Sequence, residues 1–154
     1  MIGFRRILFL DVDGVLQTPA CGDFDEMEHA PLLEKVLHDN PDIGIVITST
    51  HREGKSLRDL RCFFPPKLAE RIVGATPVLP LGRANGGRQL EIDTWLRQHD
   101  GIDDYAALDD ERHLFNERCH WLIPTSHYVG LDDDALQALQ TWIEAGQLAT
   151  MAGI

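Results

Sequence analysis

In Ile7-Leu8-Phe9-Leu10-Asp11-Val12-Asp13-Gly14-Val15, four consecutive apolar residues run straight into two carboxylates and a glycine. A short unbroken apolar run suits a strand buried on both faces, whereas a strand with one wet face alternates. If the strand continued, Asp11 and Asp13 would project the same way. Gly14 would then permit a turn that brings backbone N–H groups toward a ligand. A buried strand that ends in polar chemistry points to a parallel α/β sheet, in which ligands bind at the carboxyl ends of the strands.

Outward from this stretch the pattern repeats. Ile43 to Ile47 reads as a second buried strand and runs into Thr48-Ser49-Thr50-His51-Arg52. Tyr105 to Leu108 reads as a third and runs into Asp109-Asp110-Glu111, and Trp121-Leu122-Ile123 reads as a fourth. Helices are expected over Pro31 to Asp39, Lys55 to Phe63, Lys67 to Val73, Arg88 to Gln98 and Asp132 to Ala145, from apolar residues at helical spacing. Gln17 to Glu28 and Ala75 to Gly87 read as irregular. Strand and helix alternating in this way predict an α/β domain, a Rossmann-like three-layer core with a mostly parallel sheet.

The chain of 154 residues is read as a single domain over 1–154. Its 44% hydrophobic and 25% charged residues exclude disorder, collagen and coiled coil. A net charge of −11 repels polyanions. Strong non-specific binding to nucleic acid or to an anionic membrane is therefore not expected. Cys21, Cys62 and Cys119 have no metal-ligand spacing and are read as free thiols of a reducing compartment. No apolar run approaches a membrane span, and Asp11 and Asp13 break the apolar run that a signal peptide would need. A cytoplasmic location is expected; the sequence carries no signal for oligomeric state.

The three strand ends form one chemical set. Clustered carboxylates repel unless a cation or proton is present, and hard oxygen ligands suit Mg²⁺. Phosphoryl transfer needs a nucleophile, a proton donor, charge neutralisation and fixed hydrogen-bond donors. Asp11 can be the nucleophile and Asp13 the acid and base. Thr48 or Ser49 can hold a phosphate, Arg52 can clamp it or the leaving group, and Asp109 and Asp110 can complete a metal shell. His113, His120 and His127 are expected at the surface or as caps, and Trp95, Trp121 and Trp142 in the core. Asp132 to Asp134 are read as the acidic first turn of a helix, and Arg5 and Arg6 as solvated residues flanking the first strand.

Leu8 to Val15 resembles motif I of the haloacid dehalogenase (HAD) superfamily of phosphohydrolases. Ile45-Val46-Ile47-Thr48-Ser49 is similar to its motif II, and Ala107-Leu108-Asp109-Asp110 to its acidic motif IV. The likeness covers roughly residues 5 to 145. Within the superfamily, Ser49-Thr50-His51-Arg52, Glu91-Ile92-x-x-Trp95-Leu96 and Gly130-Leu131 resemble the small HAD domains of Swiss-army-knife RNA-repair proteins. The end of motif II also resembles the phosphatase half of polynucleotide kinase-phosphatases.

The resemblance implies Asp11 as nucleophile, Asp13 as general acid and base, and Thr48 or Ser49 as phosphate ligand. It implies Mg²⁺ held by Asp11, the Asp13 carbonyl and one or both of Asp109 and Asp110. Ser49, Arg52 and Gly14 would face the substrate. A motif III lysine is usual, but no lysine stands before the helix that precedes the third strand; Arg88 is the candidate cation there. His51 replaces a tryptophan common in the small branch, and Val15 a commoner threonine.

Gln17 to Ala30 and Gly54 to Gly87 leave no room for a full cap domain. The resemblance therefore implies an open site for a large substrate, or one closed by a partner chain. The expected function is that of a Mg²⁺-dependent phosphomonoester hydrolase, acting on a nucleotide or a nucleic-acid end. The alternatives are a phosphatase of small metabolites and a non-catalytic domain that binds metal or phosphate.

Overall fold

The computed structural model describes residues 3–19 and 27–151, with backbone alone over 148–151. In chain order the elements are β1 (Arg6–Leu10), α1 (Ala30–Leu37), β2 (Ile43–Ile47), α2 (Leu57–Cys62), α3 (Pro66–Ala69), β3 (Ile72–Ala75), α4 (Gly87–Arg97), β4 (Asp104–Asp109), β5 (Leu122–Pro124) and α5 (Asp133–Met151). All strand pairings are parallel, in the order β3-β2-β1-β4-β5. Most of the expected irregular segment Gln17 to Glu28, with Cys21, lies outside the described residues.

β1 and β2 are buried along their whole length, as their unbroken apolar sequences require. Successive side chains enter opposite layers. Leu8, Leu10, Ile45 and Ile47 join the α1 and α5 side, while Ile7, Phe9 and Val46 join Ile92 and Trp95 of α4 on the other. Each fully buried Leu or Ile contributes about 2 kcal/mol of transfer free energy. Phe9 meets Trp95 edge to face, ring centroids 5.6 Å apart, so Trp95 is core as expected.

Three expectations are corrected. Lys67 to Val73 was expected as one helix, because Leu68, Ala69, Ile72 and Val73 fit helical spacing; the helix ends at Ala69, and Ile72–Ala75 is an edge strand on β2. The two adjacent β-branched residues Ile72 and Val73 favour the strand. Arg6 is buried rather than solvated. Its guanidinium grips Asp42 through two contacts, at 2.7 and 3.1 Å, donates to the Ile143 carbonyl at 3.0 Å, and stacks on Trp142. This arginine fastens the start of β1 to α5. The terminal helix runs on to Met151, past the expected end at Ala145, and Asp132 caps it by accepting from the Ala135 amide at 2.9 Å.

No helix among the described residues is long and apolar enough to cross a membrane. Cys62 and Cys119 are free thiols.

Candidate active site

The parallel register sets the site. Leu10 pairs with Ile47 on one side and Leu108 on the other, and Ile47 pairs with Ala75. One residue further, the Thr48 amide donates to the Leu10 carbonyl at 3.0 Å, that of Asp11 to Leu108 at 3.1 Å and that of Thr76 to Ile47 at 3.0 Å. Thr76, Thr48, Asp11 and Asp109 therefore stand in one row across four strand ends. Residues far apart in sequence meet because the strands end level.

Past Asp11 the chain turns sharply. The Val12 carbonyl accepts from the amides of Val15, Leu16 and Gln17, and the Gly14 amide donates to the Gln17 carbonyl at 2.8 Å. Gly14 sits at φ +79°, and a Cβ there would overlap the Asp110 carboxylate. Both facts demand glycine. The amides of Val12 and Asp13 donate to no protein acceptor among the described residues, which leaves them for a ligand's oxygens. The Gly14 carbonyl accepts from Thr125 Oγ1 at 2.6 Å, tying the turn to the end of β5.

Asp11, Asp109 and Asp110 bring carboxylate oxygens within 4.8 Å of one another. Burial, then the charge of Asp109, holds Asp11 well above its ordinary pKa, with Arg88 pulling the other way. Asp109 is pushed up to about 6, chiefly by burial, against the opposing pull of Arg88. Arg88, expected as the cation of the site, lies in the first turn of α4 with Nη1 2.7 Å from Asp109, 3.6 Å from Asp11 and 3.6 Å from Glu111. Burial alone would lower its pKa, but the surrounding carboxylates outweigh that and raise it. One guanidinium among this many acids leaves negative charge uncompensated. An all-oxygen donor set with that excess fits a hard divalent cation such as Mg²⁺.

Asp13 stands apart from the cluster and is partly open to solvent. Its Oδ1 accepts from Gln17 Nε2 at 2.7 Å, and its Oδ2 lies 3.3 Å from His51 Nε2. Thr48 and Ser49 are both buried. Ser49 Oγ is engaged by the His51 amide at 3.2 Å. Thr48, in the row with Asp11, has no side-chain partner among the described residues and is the hydroxyl left for a ligand.

Arg52 is the exception, and the expectation that it clamps a substrate is corrected. Its five N–H donors go to the carbonyls of Thr76, Thr48, Ser49 and Pro77 and to Glu91 Oε2 at 2.8 Å. With every donor committed, it is a strut that locks the end of β2 to α4.

Sequence reasoning missed three contributors: Gln17 and His51 on Asp13, and His127, which is exposed as expected but whose Nδ1 lies 2.7 Å from Asp110 Oδ2. His51 and His127 both follow strand ends, so the rule that found the carboxylates would have found them too.

A family model described as the HAD domain in Swiss Army Knife RNA repair proteins matches residues 7–136. No curated protein and no solved structure matches the chain.

Proposed function

The chain belongs to the family of HAD domains found in Swiss Army Knife RNA repair proteins, and on that premise we propose that it is a metal-dependent phosphomonoester hydrolase. The observation that carries this reading is the level row of Thr48, Asp11 and Asp109, with the oxygens of Asp11, Asp109 and Asp110 gathered within 4.8 Å.

Asp11, Asp109 and Asp110, with the Asp13 carbonyl, would hold Mg²⁺. When bound, the ion would neutralise charge on the phosphoryl oxygens and on the carboxylates. Thr48 Oγ1 and the free amides of Val12 and Asp13 hold the phosphoryl group. A carboxylate oxygen of Asp11 attacks phosphorus, and the bond from phosphorus to the leaving oxygen breaks. That oxygen takes the Asp13 proton. Asp13 next removes a proton from the water that attacks the aspartyl-phosphate. Inorganic phosphate leaves, Asp11 is restored as a carboxylate and Asp13 is again protonated. Arg88 balances Asp109 and Asp11 throughout, in the place of the lysine more usual in such sites.

The family's description names RNA repair, which favours a nucleotide or nucleic-acid end phosphate as substrate. The net charge of −11 favours a second reading, a small phosphorylated metabolite.

Hydrolysis of an aryl phosphate, with and without Mg²⁺, tests the reaction in wild type, Asp11→Asn and Asp13→Asn. Metal-dependent turnover abolished by Asp11→Asn supports the reading. Turnover that survives Asp11→Asn refutes the nucleophile. Mg²⁺ binding without turnover of any phosphomonoester would make this a binding domain.

A further inference from the structure

Whatever group departs from phosphorus must come within hydrogen-bond reach of Asp13, so the surroundings of Asp13 choose the leaving group. One of its oxygens is held by Gln17. Beside the other stands the imidazole of His51, its side chain 26% exposed, with Nε2 at 3.3 Å. Behind the imidazole lies Phe63, ring centroids 4.9 Å apart and planes 31° apart.

The two rings are held firmly. The backbone of His51 is pinned by Ser49 Oγ, and Phe63 packs edge to face on the buried Phe64, centroids 5.8 Å apart, and against the main core. Lys55 Nζ donates to the His51 carbonyl at 2.6 Å, which keeps its ammonium 6.0 Å from the centre of the Phe63 ring. A half-buried aromatic pair, with the Lys55 ammonium over the Phe63 ring, thus begins one hydrogen bond from Asp13. A polyol or sugar leaving group gains little from such a surface. A planar ring gains stacking, and an anionic substituent on it gains the ammonium.

We propose that His51 and Phe63 form a leaving-group subsite that takes a planar aromatic group of nucleobase type. The proposal rests on the phosphatase reading for the position of the phosphate, and it makes the esters hydrolysed those of nucleosides in preference to those of polyols.

The test compares adenosine 3′-monophosphate with glycerol 2-phosphate, both with Mg²⁺. Binding is measured by calorimetry on Asp11→Asn, and kcat/KM on the parent chain. Adenosine 3′-monophosphate should bind about tenfold more tightly, in line with the usual worth of one stacked base. Phe63→Leu, which keeps an apolar residue against the core, should erase that preference, and Phe63→Tyr should retain it. A merely structural role for Phe63 would weaken both ligands alike and leave the ratio untouched.

Equal affinity for the two phosphates, or a preference that survives Phe63→Leu, overturns the subsite. If neither ester is hydrolysed but the binding preference and its loss in Phe63→Leu hold, the aromatic subsite stands and the hydrolase reading falls. If both are hydrolysed with equal kcat/KM and bind equally, the reverse is true.

Discussion

Arg52 Nη2 lies 2.8 Å from Glu91 Oε2, and the two side chains are only 3% and 4% exposed. The contact joins the turn after β2 to the middle of α4, the helix that also carries Arg88 into the carboxylate cluster. Glu91 accepts from the Leu79 amide at 2.9 Å as well, so the loop after β3 hangs on the same pair.

Removing one member of a buried pair leaves the other uncompensated, at a cost of about 3–5 kcal/mol. Glu91→Ala should lower the stability read from urea unfolding by about that much. Because Arg52 has no donor left for a substrate, the damage should fall on the folding midpoint first. Saturating inorganic phosphate should not restore it. A Glu91→Ala chain as stable as wild type would remove the strut from the account.

Much of this arrangement was legible in the sequence, because apolar runs that end in polar residues report both the strand and the direction in which it points. Asp11, Thr48 and Asp109 could be placed together from that alone. Arg52 could not be read correctly, since whether an arginine faces a ligand or a helix depends on where α4 packs. Arg6 was misread for a similar reason. Its partners, Asp42 and Ile143, stand 36 and 137 residues away. The edge strand β3 was hidden because Ile72 and Val73 continue the helical spacing begun by Leu68 and Ala69, and a strand of four residues is too short to show a period of its own. His127 was overlooked because three scattered histidines were weighed by their spacing along the chain, not by their places at strand ends.

His127 gives the second prediction. Its Nδ1 is 2.7 Å from Asp110 Oδ2, so it orients a carboxylate of the cluster without belonging to it. Partners of this kind commonly alter metal affinity by about 10- to 100-fold. His127→Ala should weaken Mg²⁺ binding, measured by calorimetry, by at least the lower figure. His127→Asn should recover part of the loss, since an amide can donate to the same oxygen. An unchanged affinity in His127→Ala would make the contact incidental.

The third prediction concerns pH. Burial raises Asp109 to about 6 and Asp11 well above its ordinary value. An unfolded aspartate titrates near 4, so between roughly pH 4 and 6 the folded chain binds more protons through Asp109 than the unfolded chain does. The contribution of this residue to stability is thus fully present below pH 4 and is lost as pH rises through 6. Metal affinity runs the opposite way, because the ligand must be deprotonated. Mg²⁺ binding should strengthen from pH 5 to 7, by up to about tenfold per unit below 6. Asp42, held low chiefly by its hydrogen bonds from Arg6, contributes the opposite slope to stability. The comparison should therefore be made between wild type and Asp109→Asn across this window, where the variant loses the fall in metal-free stability seen in the parent. Parallel stability curves for the two chains would remove the elevated Asp109 from the account.

Arg88 gives the last. It is the cation that meets Asp11, Asp109 and Glu111 together, and its buried Nε has no hydrogen-bond partner among the described residues. Without it, buried carboxylates would face one another with no compensating charge, at a cost of about 3 kcal/mol or more. In a chain of this size that corresponds to a fall in melting temperature of about 6–12 °C. Arg88→Ala should show that fall when metal-free and recover much of it with saturating Mg²⁺, since the ion supplies the missing positive charge. Arg88→Lys should fall between the two, because an ammonium keeps the charge but not the reach and rigid plane that set Nη1 among the three carboxylates. Scanning calorimetry with and without Mg²⁺ measures the gap directly. If Mg²⁺ stabilises wild type and Arg88→Ala equally, Arg88 does not share its work with the metal, and the carboxylates must be neutralised by shared protons instead.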